Sequence, residues 1–110
     1  MVNASTMARK IPPTHPGDVL REDIMKPLGL SASKVAIAMR VPLTRVTELI
    51  NRNRAVTADT ALRLARCFDT TAQFWLNLQA KYDLSMAERE KAAQIRREVL
   101  TLREATARSH

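Results

Sequence analysis

The sequence has little cysteine, glycine or aromatic residue content and no long hydrophobic run. Its single cysteine, Cys67, excludes an internal disulfide and fits a reducing cytoplasm. Two Gly, two Phe, one Trp and one Tyr stand against many Ala, Leu, Arg and Glu, which favours helices over sheets. No apolar run approaches the roughly 20 residues that span a bilayer, and the N-terminus does not resemble a secretion signal. We therefore expect a helical cytoplasmic protein without a membrane span.

Catalytic motifs are lacking as well. The sequence contains no H-E-x-x-H, cysteine cluster, glycine-rich phosphate loop or G-x-S-x-G. The spacing of His15, Asp18 and Glu22 can bring three ligand types toward one helix face, but acids in a first helical turn are explained by the helix dipole. The sequence therefore predicts neither an enzyme nor a metal or cofactor site.

Basic residues are what the sequence does have. Lys and Arg number 18 against 11 Asp and Glu, which gives a formal net charge of +7. A protein this basic attracts polyanions such as nucleic acid. The charge is concentrated between residues 34 and 54, where five basic residues accompany a single acid, Glu48.

Apolar spacing and capping residues predict an all-α chain in three parts. Residues 1–14 are polar and proline-containing, which indicates a flexible arm. Residues 15–84 are predicted to form five helices, with Ser31, Thr57 and Thr71 as N-caps. The sequence S-M-A-E at 85–88 matches a capping box and predicts a separate helix over 85–110 that acts in dimerisation or is a tail.

The second and third predicted helices form a helix-turn-helix pattern. Each has about eight or nine residues, and about three residues separate them. The apolar residues of the third helix commit one face to the core, so its other face is free to enter a DNA major groove. The expected base-reading residues are Leu43, Thr44, Arg45, Thr47 and Glu48. The expected contacts to the DNA backbone are Ser33, Lys34, Arg40, Arg52, Asn53 and Arg54.

A helix-turn-helix of this kind is expected to dimerise, because two recognition helices about 34 Å apart reach successive major grooves. Ala92, Ile95, Val99 and Leu102 have the 3-4-3 spacing of a short apolar stripe. Phe74 is expected in the core, and Trp75 in either the core or a dimer interface. The candidate dimer contacts are therefore Trp75, Ile95, Val99 and Leu102.

Three motifs, in the same order along the chain, resemble the HigA family of antitoxins. They are HPGDVL at 15–20, NRNRAVTADTALRLA at 51–65 and FWLNLQ at 74–79, and the resemblance covers about residues 15–84. It implies a lambda-repressor-like domain of five helices, followed here by the C-terminal helix. It also implies a dimer that represses its own operon and neutralises a HigB-type toxin, a ribosome-dependent mRNA endonuclease. Asp18, Glu22 and Asp23 are candidate toxin contacts.

The sequence departs from the family pattern at three positions. Arg40 and Arg52 stand where the family often has glycine, and Pro42 stands where it often has serine. Arginine tolerates a positive φ less well than glycine, so the departures affect the two turns that flank the third helix. Two of them also add positive charge where a phosphate is expected.

Two alternatives to an antitoxin remain open. A solitary or phage-type regulator would bind DNA in the same way without a toxin partner. An RNA-binding helical protein would use the same charge, although the basic segment 34–54 lacks the aromatic residues with which proteins stack on single-stranded RNA. The expected partners of the leading hypothesis are double-stranded operator DNA, a toxin and a second copy of the chain, with no membrane.

Overall fold

The computed structural model describes residues 13–108, and all its regular elements are helices. Helix α1 consists of three consecutive segments, Pro16–Asp18, Val19–Met25 and Lys26–Leu28, of which the middle one has π-helical hydrogen bonding. The other helices are α2 (Ala32–Met39), α3 (Leu43–Ile50), α4 (Ala58–Phe68), α5 (Ala72–Glu98) and α6 (Leu102–Arg108). The predicted arm at 1–14 lies outside the described residues except for its last two.

Helix α1 begins and ends at residues whose types favour a helix start or a helix end. The buried His15 caps its start, since Nδ1 of His15 accepts a hydrogen bond of 2.9 Å from the backbone N–H of Gly17. Pro16 occupies the first turn, where a missing N–H costs nothing. Gly29 follows the helix with a φ of 64°, a left-handed conformation that glycine adopts without a steric penalty.

The predicted N-caps of three later helices are confirmed. The hydroxyls of Ser31, Thr57 and Thr71 each accept from a backbone N–H three residues on, at 3.1, 3.4 and 3.1 Å. Each bond satisfies one of the N–H groups that a helix start leaves without an internal partner. The starts of α2, α4 and α5 are therefore fixed by local sequence.

The core lies between α1 and the four helices that follow it. Leu20, Leu49, Leu64 and Trp75, which come from four different helices, are at most 1% exposed. Trp75 is satisfied inside the core, because its indole N–H donates to the hydroxyl of Thr70 at 2.8 Å. The two roles expected for Trp75 thus resolve to the core, and its side chain offers no surface to a second subunit.

The expectation for Phe74 is wrong. Its side chain is 41% exposed and packs edge-on against the ring of Trp75, with the two centroids 5.2 Å apart. Adjacent helical residues point in directions about 100° apart, so only one of the two rings can face the core. The structure buries the larger one.

The predicted helix start at Ser85 is also wrong. Helix α5 runs through Ser85 without interruption, and the chain instead leaves the helical conformation at Val99 before α6 begins. A capping box requires an extended residue at its first position, and no break precedes Ser85. The expected boundary between residues 84 and 85 therefore falls within one helix.

Candidate nucleic-acid interface

The turn between α2 and α3 is made by a residue with left-handed backbone. Arg40 has φ 58° and ψ 48°, and its N–H bonds back to the carbonyl of Ile37. The N–H of Val41 bonds to the carbonyl of Ala36 at 3.1 Å, which completes the end of α2. Pro42 then precedes α3 without a side-chain cap. The helix-turn-helix predicted from spacing is present.

Helix α3 has one buried and one accessible face. Val46 and Leu49 are each 1% exposed and anchor the helix. None of the five predicted base-reading residues is buried: Leu43 and Thr44 are exposed, and Arg45, Thr47 and Glu48 are half-buried. All five residues expected to meet base edges therefore remain at least partly accessible to solvent.

The predicted backbone contacts flank this surface. Ser33 and Lys34 are exposed on the first turn of α2, and Arg40 is exposed in the turn. Arg52, Asn53 and Arg54 are exposed in the loop after α3. The same loop is held by backbone bonds from Arg52 to the carbonyl of Leu49 at 3.1 Å and from Asn53 to that of Glu48 at 2.7 Å. The loop cations thus sit on a fixed backbone.

Three interface arginines are paired with carboxylates of the chain. Arg52 meets Asp18 at 2.8 Å, Arg54 meets Glu48 at 3.2 Å, and Arg45 meets Asp59 at 3.5 Å. The sequence suggests other roles for Asp18 and Glu48 and none for Asp59, so these pairs were not predicted. A paired cation attracts phosphate less than a free one does.

Arg63 is a residue that sequence reasoning missed. Its guanidinium donates to the carbonyls of Met39 and Arg40 at 2.9 and 3.3 Å, and its Nε donates to Asp59 at 2.9 Å. A cation at these carbonyls stabilises the C-terminal end of α2. The i,i+4 spacing of Asp59 and Arg63 indicates their pairing, but only the fold brings Arg63 to the turn.

The three acids proposed as toxin contacts do not form one free patch. Asp18 faces Arg52, and Glu22 pairs with Lys26 at 2.7 Å and with Arg21 at 3.2 Å. The hydrogen bond from Lys26 is the main cause that lowers the pKa of Glu22. Asp23 is exposed.

Within residues 13–108, no three His, Cys, Asp or Glu side chains are grouped to hold a metal ion. Among the same residues, no helix has both the length and the apolarity that crossing a membrane requires. Cys67 is half-buried, and burial raises the pKa of its thiol.

Comparison with known proteins decides the family. No family model matches the chain. The virulence-associated protein I of Dichelobacter nodosus is 51% identical over 82 residues, which cover 74% of this chain and 76% of that protein. An addiction module antidote protein of the HigA family from Coxiella burnetii superposes with a TM-score of 0.78 at 44% identity, covering 83% of this chain and 99% of the other. The chain belongs to the HigA family.

A second solved structure shows a HigA protein with DNA. The Pseudomonas aeruginosa antitoxin HigA, determined with the higBA promoter, has a TM-score of 0.79 and 39% identity. The match covers 82% of this chain and 98% of that one. The all-α helix-turn-helix architecture is thus shared over nearly the whole length of both relatives of known structure.

Two departures from the HigA pattern have a structural consequence. Arg40 and Arg52, which stand where the family often has glycine, have φ values of 58° and 64°. Both turns therefore place a residue that carries a Cβ in the left-handed conformation that glycine adopts without a steric penalty.

Proposed function

We propose that this HigA-family chain is an autorepressor that binds operator DNA through α3 and also acts as an antitoxin. The observation that carries the DNA-binding part is the accessible face of α3, with five predicted base-reading residues unburied and exposed cations on either side. A protruding helix of this kind fits the major groove, where Arg45 can pair with guanine and Thr44 and Thr47 can donate or accept. The promoter complex of the Pseudomonas aeruginosa relative supports this assignment.

The cations around α3 are assigned to the DNA backbone. Lys34 and Arg40 lie on the α2 side of the helix, and the loop after α3 supplies Arg52 and Arg54. Contacts to phosphate fix the register of the protein on the duplex and supply most of its affinity, whereas the face of α3 supplies the selectivity.

A dimer is part of the proposal. Palindromic operators are read by two copies of a recognition helix about 34 Å apart. Ile95, Val99 and Leu102 are 49%, 63% and 87% exposed, so the end of α5 and the start of α6 carry apolar surface available for a second copy. In this assignment residues 15–84 read DNA, and 85–110 contribute to dimerisation.

The partner of the antitoxin activity is proposed to be a basic HigB-type endonuclease. Exposed acids on α1 suit such a partner. Asp23 is the strongest candidate, because Asp18 is engaged with Arg52 and Glu22 with Lys26 and Arg21. Both binding activities place the protein in the cytoplasm, and neither requires a catalytic group.

A gel-shift assay on the DNA upstream of the gene, with and without the product of the adjacent reading frame, tests both activities. Arg45→Ala is expected to lose about 1–3 kcal/mol on the operator and to relax its specificity. Arg54→Ala is expected to weaken operator and random DNA by the same factor. Equal losses on both DNAs for both variants would contradict the division of roles. Binding of DNA without binding of the adjacent product would leave a solitary regulator.

A further inference from the structure

Carboxylates of the chain already engage part of the proposed DNA interface. Three of its arginines, Arg45, Arg52 and Arg54, lie within 3.5 Å of an acid. Lys34 and Arg40 make no ion pair with the residues that the structure describes. The cations of the interface therefore fall into a paired and an unpaired set, although the sequence presents them as one cluster.

The contact between Asp18 and Arg52 is the best formed of the three. Nε of Arg52 donates to Oδ1 of Asp18 at 2.9 Å, and Nη2 donates to Oδ2 at 2.8 Å. This is the two-pronged geometry in which arginine binds carboxylate and phosphate alike. The side chain of Asp18 is 16% exposed, against 60% for Asp59 and 41% for Glu48. The carboxylate of this pair is therefore the least solvated of the three, although Arg52 itself is 53% exposed.

The charge states agree with the geometry. Burial by itself raises the pKa of Asp18, but the hydrogen bond and the charge of Arg52 outweigh it, so the pKa is lowered. The hydrogen bond that Arg52 donates to Asp18 likewise raises the pKa of Arg52. The carboxylate is thus ionised at neutral pH and remains a full competitor for the guanidinium.

We propose that Asp18 competes with DNA phosphate for Arg52 and thereby limits the phosphate-driven affinity of the protein for DNA of any sequence. This inference rests on the proposed DNA-binding function. Asp18 presents two oxygens to the same N–H groups that would bind a phosphate, and its negative charge cancels that of Arg52 at the edge of the interface. Contacts from α3 to bases are untouched, so the share of affinity that depends on sequence is preserved.

The pairing also explains how α1 contributes to a DNA interface that it does not form. Asp18 lies in the first turn of α1, 34 residues before Arg52 in the sequence. Gly17 next to it allows α1 to approach the carbonyl of Leu49 at the end of α3. The close approach of these two helices brings the carboxylate to the loop after α3.

Asp18→Asn tests the proposal by removing the charge while leaving an oxygen to accept from the backbone of His15. Binding to random DNA is expected to strengthen roughly threefold to fivefold. The slope of log K against log salt should steepen by about 0.9, the increment for one additional phosphate contact. Operator and random duplexes should gain by the same factor, because only phosphate binding changes.

A double-mutant cycle and a charge-matched control assign the effect to the pair. In an Arg52→Ala background, Asp18→Asn should leave affinity and salt slope unchanged, because the competed group is gone. Asp23→Asn makes the same change in net charge on the same helix, at an exposed acid, and is expected to change the slope by less than half as much. Asp18→Ser, which also keeps an oxygen acceptor, serves as a second variant if Asp18→Asn lowers the melting temperature.

The DNA-binding results distinguish a failure of the proposed competition by Asp18 from a failure of the proposed DNA-binding function. If the wild-type protein binds neither operator nor random DNA, the proposed function is wrong, and the inference is wrong with it. If the wild-type protein binds its operator but Asp18→Asn weakens binding, Asp18 positions Arg52 for DNA and does not compete with it. An unchanged salt slope, or an equal change for Asp23→Asn, would also overturn the proposal.

Discussion

The packed part of the molecule, helices α1–α4 with the first half of α5, differs in the burial of its apolar residues from the second half of α5 and the residues that follow it. In the packed part, Leu20, Val46 and Leu64 are at most 1% exposed. Ile95, in the second half of α5, is 49% exposed, and Val99 and Leu102, which follow the end of that helix, are 63% and 87% exposed. Their spacing is regular, but the helix ends at Glu98, so the three side chains do not share one helix face. Apolar spacing alone therefore does not bury a side chain, which also requires a second element that covers it. Within residues 13–108, nothing covers the end of α5.

The largest expected difference between the two regions is in the cost of removing a side chain. Trp75→Ala should lower the free energy of unfolding by about 3–5 kcal/mol, because it leaves a cavity in the core. Val99→Ala, at an exposed position, should change it by less than about 0.5 kcal/mol in the monomer. Urea unfolding at low protein concentration measures both. A large loss for Val99→Ala that grows with protein concentration would indicate that a dimer covers this face.

A smaller loss is expected where the packed helices approach most closely. A Cβ at Gly17 would overlap the carbonyl oxygen of Leu49, so Gly17→Ala should cost about 1–3 kcal/mol. Gly29→Ala is the matched control, because its Cβ would meet no atom within 4 Å. Its φ of 64° still costs about 1 kcal/mol for alanine. In thermal melts, Gly17→Ala should lower the melting temperature more than Gly29→Ala does. The reverse order would show that α1 does not approach the carbonyl of Leu49 so closely at Gly17.

Much of the fold could be predicted from sequence, since its causes are local. The caps Ser31, Thr57 and Thr71 act on N–H groups three residues away, and Gly29 ends the first helix through its own backbone. The capping box predicted at Ser85 was wrong because it, too, was inferred from local sequence alone. Such a sequence can begin a helix only after a residue with extended backbone, and here the preceding turns of α5 continue through Ser85.

The candidate site, like the fold, could be predicted where its causes are local and could not where they depend on packing. The accessible face of α3 follows from helical periodicity, so Thr44, Thr47 and Glu48, which are three and four residues apart, could be placed on it from the sequence. The contacts of Asp18 with Arg52 and of Arg63 with the carbonyls of Met39 and Arg40 join residues 23 to 34 positions apart. No periodicity connects such positions, which meet only because the helices pack.

The turn at Arg40 offers a test with a moderate expected effect. Arg40→Gly should raise stability by about 0.5–1 kcal/mol, because glycine adopts its φ of 58° without strain. Arg40→Ala, which removes the same charge but keeps the Cβ, should leave stability unchanged within about 0.5 kcal/mol. Both variants should bind DNA more weakly by losing one cation. Equal stability of the two would show that the turn stores no backbone strain.

The smallest expected effect is a dependence of stability on pH in the packed region. Burial lowers the pKa of His15 below 6.5, and Nδ1 must be unprotonated to accept from Gly17. The contribution is therefore fully present above pH 6.5 and is lost as the pH falls from there through the lowered pKa. Melting temperatures between pH 7.5 and 5.5 should fall for the wild type and much less for His15→Gln. A fall of the same size in both would assign it to other groups.

An NMR titration with operator DNA shows whether the accessible face of α3 enters the major groove. Operator DNA added to isotopically labelled protein should shift the backbone amides of residues 43–48 and 51–54 most strongly. The amides of residues 95–102 should shift less than those of α3, because in the proposed function they contact a second copy of the chain and not DNA. Shifts concentrated on α5 and α6, with the amides of α3 unmoved at saturating DNA, would show that α3 does not enter DNA.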